Sequence, residues 1–283
     1  MKKFGALAVA LLFPLLVSGQ AQIDTKKVKI SDFTQKITKV VLTGNPFHDG
    51  CLKSGIASKW SASPFEFCTM DEYEALKSSD SYYFLLTTKG QFKKESEPGL
   101  SFLTLVKGGK NASGGINEML EVVSFPFASA ESPSGREYVF LNAFLDIIQD
   151  YVLSSMERDL DAYTGLPNYS MNISKSGDMT IVFSETDLAG EVTAEVKNAC
   201  FDEKVLVLSE EEADEYLSPE RANTLVSYVA APAEAKPGSF CYKMLIDPQS
   251  NTLYYFRKHR ISKKFGPGFL AEDVKRIAVP RKK

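Results

Sequence analysis

The sequence has few of the side chains that usually carry metal or nucleophilic chemistry. It contains only two histidines, His48 and His259, and four cysteines, none of them in C-x-x-C spacing. A zinc site would need Cys or carboxylate partners, and no spacing in the chain identifies them. The most polar loop, residues 45–50, has no G-x-G-x-x-G or G-x-x-x-x-G-K pattern that would cradle a phosphate. We therefore expect no metal site and no cofactor.

An excess of positive charge is also missing. The 33 basic and 36 acidic residues leave a net charge of −3, which argues against nucleic acid as a partner. The charge is unevenly spread, since residues 202–220 are acidic and residues 257–283 are basic. Within the basic segment, Arg257, Lys258 and Arg260 are candidate binding residues for an anionic envelope polymer. The alternative interpretation is a solvated basic edge strand that discourages aggregation.

The first 21 residues have the pattern of a secretory signal peptide. Lys2 and Lys3 precede an apolar run, and the small residues Gly19 and Ala21 predict cleavage after Ala21. The apolar run is interrupted by Pro14 and is shorter than the ~20 residues that span a bilayer. No cysteine lies near the cleavage site, so a lipid anchor is not expected. We predict a periplasmic or secreted protein of a Gram-negative bacterium, with no transmembrane segment in the mature chain.

The same pattern of apolar residues occurs twice along the chain. Residues 39–76 align without a gap to residues 179–216, about 140 positions later. Val41 then coincides with Ile181, and apolar positions along the following helix and strand coincide as well. Few residues are identical, but the spacing of the apolar side chains is kept. The alignment predicts two copies of one structural unit.

Each copy begins with a strand, a helix, a second strand and a second helix. Leu52 and Ile56 recur at a spacing of four, which places them on one helix face. After the second strand, T-x-x-E at residues 69–72 and S-x-x-E at residues 209–212 have the form of capping boxes. Finding this box at matching positions is the best support for the duplication.

Extended segments follow each pair of helices. Aromatic and β-branched residues predict strands at residues 81–88, 101–107 and 118–127, and again at residues 224–230, 240–247 and 252–260. The fold class is therefore α/β (α+β), with two tandem, pseudo-symmetric copies of a β-α-β-α unit, each followed by a β-meander in a mixed sheet. We place the two domains at residues 22–165 and 166–283. A long helix at residues 137–160 closes the first domain or bridges both, and residues 163–177 form the linker.

The candidate site is the first βα loop, because ligands bind beyond the carboxyl ends of strands in open α/β sheets. Asn45, His48 and Asp49 are the binding candidates there. His48, Asp49 and Cys51 are also catalytic candidates, since a thiolate is favoured at a helix N-terminus beside a histidine. The competing interpretation is a structural loop in which Cys51 forms a disulfide with Cys68. A third possibility is that the cysteines are free and buried.

The order of elements at residues 39–88 and 179–230 resembles the amino-terminal domain of the periplasmic TolB family. That resemblance implies protein–protein contact in the cell envelope. We expect a non-enzymatic binding or scaffolding protein whose partner is an envelope protein or polymer. The alternatives are a hydrolase or thiol enzyme that uses His48 and Cys51, and a binder of anionic polymer that uses the basic C-terminal region.

Overall fold

A computed structural model describes residues 25–92, 95, 97–218 and 221–281. The signal peptide predicted for residues 1–21 lies outside the described residues, as does its cleavage site. The structure consists of two five-stranded mixed sheets with helices between and around them. This architecture confirms the α/β (α+β) fold class that the sequence predicts.

The two sheets are built from strands that follow one another along the chain. The first sheet contains β1 (Ile37–Val41), β2 (Phe65–Cys68), β3 (Tyr82–Gly90), β4 (Leu100–Lys107) and β5 (Leu120–Ser129). The second sheet contains β6 (Thr180–Ser184), β7 (Val205–Leu208), β8 (Thr224–Ala230), β9 (Phe240–Asp247) and β10 (Thr252–Arg260).

Both sheets have the same strand order. The first runs β2-β1-β3-β4-β5, and the second, read from its other end, runs β7-β6-β8-β9-β10. In each sheet the first strand pairs in parallel with its two neighbours, and the later strands pair antiparallel. This agreement in order and direction is what a duplicated unit would produce. Descent from one ancestral module stays a prediction.

The helices connect and cover these strands. They are α1 (Lys26–Lys29), α2 (Pro46–Lys59), α3 (Met70–Leu76), α4 (Arg136–Val139), α5 (Leu141–Glu157), α6 (Asp159–Thr164), α7 (Ala194–Cys200), α8 (Glu210–Asp214) and α9 (Ala271–Arg281). The single helix predicted at residues 137–160 is therefore three helices, because the backbone leaves the helical conformation at Arg158 and α5 begins anew after Phe140.

Both predicted capping boxes are present. The Glu72 amide donates to Thr69 Oγ1 at 3.2 Å, and the Thr69 amide donates to Glu72 Oε2 at 2.7 Å. Ser209 and Glu212 form the same pair of bonds at 3.3 and 3.1 Å. Each box satisfies two backbone donors that a helix start leaves free. The boxes therefore fix the residues at which α3 and α8 begin.

The main hydrophobic core is shared by the two halves of the chain. Helix α5 lies between the sheets, and the ring of Phe144 contacts Phe125 of β5 and Tyr228 of β8 at centroid distances of 4.9 and 5.0 Å. Residues of both sheets belong to this one core. The sequence predicts that the long helical segment either closes the first domain or bridges both domains. Helix α5 has the bridging role.

The segment predicted to be a linker is packed against the second sheet. Residues Leu166–Lys175 form a 3-10 helix alongside β10. The Ser170 hydroxyl donates to the carbonyl of Phe256 at 2.8 Å and accepts from its amide at 3.0 Å. Asn172 donates to the carbonyl of Leu253 at 3.0 Å. These bonds satisfy backbone groups of β10 that edge strands otherwise leave unpaired, so the segment is not a free linker.

Candidate functional site

The stretch at residues 45–50 is the first turn of α2, not the loop that the sequence predicts. Asn45 is the N-cap, and its side chain accepts from the amides of Phe47 and His48 at 3.0 and 3.2 Å. Pro46 occupies the first helical position, where its fixed φ and missing N–H cost nothing. The helix therefore begins five residues before Cys51, and Asn45 serves as a cap.

Asp49 connects α2 to the turn after β1 through hydrogen bonds. Its carboxylate is 8% exposed and accepts from the amide and hydroxyl of Thr43 at 2.8 and 2.9 Å and from the Gly44 amide at 2.9 Å. Burial raises the pKa of Asp49, but these hydrogen bonds outweigh it and hold the pKa below its usual value. Gly44 has φ +85°, a conformation that glycine adopts without strain. Asp49 thus stabilises the turn.

His48 is enclosed by hydroxyl groups. The side chain is 7% exposed, with Nδ1 3.1 Å from the Tyr138 hydroxyl and Nε2 3.0 Å from the Thr87 hydroxyl. Burial lowers the pKa of His48, which favours the neutral ring. Both nitrogens are therefore occupied by partners other than Cys51. The Cys–His contact that a thiol enzyme needs is not formed by these bonds.

Cys51 and Cys68 contact different cores. Cys51 packs against the main core, whereas Cys68 belongs to a separate cluster with Val41, Tyr73 and Phe84. Both are free thiols in the structure, so the disulfide predicted between them is not formed. The physical reason is that Cys51 lies on α2, which packs on the main core, whereas Cys68 ends β2 and is buried in the other cluster together with Tyr73 of α3. Burial raises the pKa of Cys68 to about 11 and that of Cys241 to about 12, which keeps both thiols protonated.

The basic candidates lie on β10, at the edge of the second sheet. Lys258 and Arg260 are exposed, and their charged groups lie 5.5 and 5.2 Å from the centroid of the Phe240 ring. Arg257 is 3.9 Å from a carboxylate oxygen of Asp273. His259 is half-buried, with Nε2 2.8 Å from the Gly266 carbonyl oxygen.

The corresponding βα turn of the second half contains a buried ionic cluster. Arg136, 6% exposed, donates to Asp187 at 3.0 Å and to Asp214 at 2.7 Å. The Ser227 hydroxyl also donates to Asp187, at 2.6 Å. Burial lowers the pKa of Arg136, and the two carboxylates more than reverse this, so the guanidinium stays charged. This cluster therefore joins the halves, and the charge of Arg136 is balanced by carboxylates of the second half.

A groove of about 580 Å³ lies between the two halves. This volume is within the range of known ligand sites. A row of hydroxyls from three adjacent strands lines it: the Thr88 and Thr104 oxygens are 2.8 Å apart, and those of Thr104 and Ser124 are 3.2 Å apart. We call this row the hydroxyl ladder. Each hydroxyl can donate once and accept twice, so the ladder retains capacity to bond a ligand.

Aromatic side chains line the groove where the two sheets meet. Phe102 of the first sheet meets Tyr242 of the second at a centroid distance of 5.8 Å, and Tyr242 is 6.0 Å from Phe256. These three rings are largely buried, whereas Tyr163 at the rim is 91% exposed. The groove therefore combines a fixed aromatic wall with one accessible ring. A second cavity of about 440 Å³ adjoins it at Tyr151.

Positive charge dominates the described lining of the groove. It includes three lysines, Lys26, Lys89 and Lys258, against one acidic residue, Glu121. Among the ion pairs of the described residues, none involves these three ammonium groups. Lys26 instead donates to the Tyr151 hydroxyl at 3.2 Å. We call these residues the lysine trio.

Of the binding residues proposed from the sequence, Lys258 lines the groove, while Asn45, His48 and Asp49 serve the turn before α2. Sequence reasoning missed Lys26, Lys89 and the hydroxyl ladder because they come from distant segments with no shared motif. The available signal is that Thr88, Thr104 and Ser124 each place a hydroxyl in a largely apolar strand.

Within residues 25–92, 95, 97–218 and 221–281, no group of three or more His, Cys, Asp or Glu is placed to hold a metal ion. Across the same residues, no helix has both the length and the apolar character needed to cross a bilayer. Comparison of the chain with protein-family models, with curated proteins and with solved structures gave no match.

Proposed function

We propose that the protein is a non-enzymatic binding or scaffolding protein that holds its ligand in the groove between its two halves. The observation that carries the proposal is the composition of this groove. A row of hydroxyls, a set of aromatic rings and three lysines that form no ion pair with another described residue line one space formed by both sheets. Sites of this kind bind by shape and by a few well-placed polar groups.

The signal-peptide pattern of the first 21 residues supports a cellular location for this binding. A signal peptide cleaved after Ala21 would deliver the protein to the periplasm or the exterior of a Gram-negative cell. There the ligand would be an envelope protein or polymer, as the resemblance to the TolB amino-terminal domain also suggests.

The enzymatic alternative has less support from the site residues. The hydrogen bonds of His48 and Asp49 hold the turn between β1 and α2, and they leave neither residue aimed at the Cys51 thiol. A general base must reach the proton that it removes. Rapid alkylation of Cys51 together with turnover of an ester or amide substrate would revive this alternative.

Blocking the groove tests the proposal. Ser124→Trp would place a large ring inside the groove, and Ser54→Trp would place the same ring on the exposed surface of α2. Immobilised wild-type protein and both variants would be exposed to an envelope extract, after circular dichroism has shown that all are folded. We expect the wild type and Ser54→Trp to retain the same components and Ser124→Trp to lose them. Equal retention by all three would overturn the proposal.

A further inference from the structure

The lysine trio carries the groove's charge, and this charge is opposite to that of the chain as a whole. The protein has a net charge of −3, yet the described lining of the groove has three lysines and one acid. Lys89 and Lys258 are exposed and Lys26 is half-buried. Ammonium groups gathered in a concave site attract anions and raise their local concentration.

The charges are spread along the groove instead of converging on one point. Lys89 follows the hydroxyl ladder on β3, Lys258 extends from β10, and Lys26 lies beside Tyr151 of α5. The three residues belong to three separate elements that line one groove. Such an arrangement fits a chain with repeated negative charges better than it fits a single compact anion.

The hydroxyl ladder and the exposed ring indicate the chemistry of that chain. The hydroxyls of Thr88, Thr104 and Ser124 can exchange hydrogen bonds with ligand hydroxyls, because each both donates and accepts. Tyr163 presents an accessible apolar ring face with a polar tip at the rim. Both features suit a sugar ring, which has polar edges and apolar faces.

An extended acidic peptide fits the groove less well. It would bind by adding a strand to β5, the edge strand whose residues 121–124 line the groove. The pairing of β4 with β5 shifts register between Leu105 and Val106. Val122 therefore has no partner residue on β4. A bulge of this kind twists an edge and disfavours the addition of another strand.

We infer that the ligand of the groove is an acidic polysaccharide, with carboxylated sugars bound by the lysine trio and their hydroxyls bound by the hydroxyl ladder. This inference rests on the proposed function and specifies its ligand class. The carboxylates pair with ammonium groups that have no ion-pair partner among the described residues, so binding breaks no salt bridge found there. The attraction is between partly exposed charges, and salt therefore weakens the binding.

The test measures binding of three probes by isothermal titration calorimetry. They are oligogalacturonate as the acidic glycan, maltohexaose as the neutral glycan and oligoglutamate as the acidic peptide. We expect oligogalacturonate to bind most tightly and its affinity to fall as salt is raised. Equal affinity for oligoglutamate would assign the site to peptides and overturn the inference, and so would equal affinity for maltohexaose.

A matched pair of triple variants locates the binding. Lys26→Ala, Lys89→Ala and Lys258→Ala together should weaken oligogalacturonate binding about tenfold or more, given the modest contribution of each exposed ion pair. Lys53→Ala, Lys263→Ala and Lys275→Ala together remove the same charge from exposed positions outside the groove and should leave the affinity nearly unchanged. Equal losses in both would show attraction by net charge alone and overturn the inference.

One further variant keeps the outcomes distinct. Lys89→Glu with Lys258→Glu changes only exposed side chains, so a loss of binding in this variant cannot be ascribed to the half-buried Lys26. If none of the probes binds while an envelope component is still lost from the Ser124→Trp variant, the ligand class is wrong and the binding function stands. If no envelope component is lost from the Ser124→Trp variant, both the proposed binding function and the inferred ligand class are wrong.

Discussion

Arg136 and Asp187 form a buried ion pair, with Nη1 3.0 Å from Oδ2, that joins the first half of the chain to the second. Arg136 precedes the bridging helix α5, and Asp187 follows β6 of the second sheet. The guanidinium also donates to the backbone carbonyl of Ser227 at 3.0 Å, so it has partners in three segments of the second half. The contact therefore holds the two halves of the chain together through buried polar bonds.

Removing this guanidinium should destabilise the protein strongly. Arg136→Ala leaves Asp187 buried without its cation, and breaking a buried pair in this way costs about 3–5 kcal/mol. The free energy of unfolding in urea measures the effect. Arg276→Ala is the matched control, because Arg276 pairs with Glu272 on the exposed face of α9 and its loss should cost less than about 1 kcal/mol. Equal losses would contradict a special role for Arg136.

The buried histidines should make the protein less stable at mildly acidic pH. Burial lowers the pKa of His48 in the folded state, so the unfolded chain binds the proton more readily. Stability is then fully present above the unfolded pKa of about 6.5 and declines as the pH falls below it. His48→Gln should flatten this decline, measured as urea midpoints between about pH 7.5 and 5.5.

His259 provides the comparison for that experiment. Its pKa is also lowered by burial, so His259→Gln should remove a separate part of the same pH dependence. The double variant should have the flattest profile of the four proteins. A profile for His48→Gln that matches the wild type would show that His48 is not buried as described.

The four cysteines should react as free thiols at different rates. Cys51 is half-buried, while Cys68, Cys200 and Cys241 are buried. We expect iodoacetamide to label Cys51 first in the folded protein and all four cysteines after denaturation without reductant. Mass spectrometry of the labelled protein follows both steps. A peptide linked through Cys51 and Cys68 would instead restore the disulfide that the sequence suggests.

The two capping boxes should contribute comparable stability. Thr69→Ala and Ser209→Ala each remove a side chain that accepts from the third helical amide at 3.2 and 3.3 Å. Each change should cost about 0.5–2 kcal/mol, measured by urea unfolding. Thr69→Ser and Ser209→Thr keep the hydroxyl and should stay close to wild type. If only one of the two alanine substitutions lowered the free energy of unfolding, the two boxes would share a geometry but differ in their contribution to stability.

Local patterns predicted most of the second sheet. Strands β8, β9 and β10 have the same bounds in sequence and structure, because β-branched and aromatic residues end at clear turn residues. The start of α2 differs from the sequence expectation, because Asn45 and Pro46 begin a helix where the glycine-containing stretch to Gly50 predicts a loop. The breaks on either side of α5 fall at Phe140 and Arg158, where no local pattern in the sequence predicts an end of the helix.

Local sequence patterns specify the strands of the second sheet, the repeated order of strands and helices, and the two capping boxes. These depend on interactions among residues a few positions apart, such as Thr69 with Glu72. Only the tertiary structure decided that Lys26, Lys89 and Lys258 share one groove, that His48 is enclosed by hydroxyls, and that Arg136 reaches Asp187. Those contacts arise when apolar faces bury against α5, and burial brings together residues that no spacing along the chain relates.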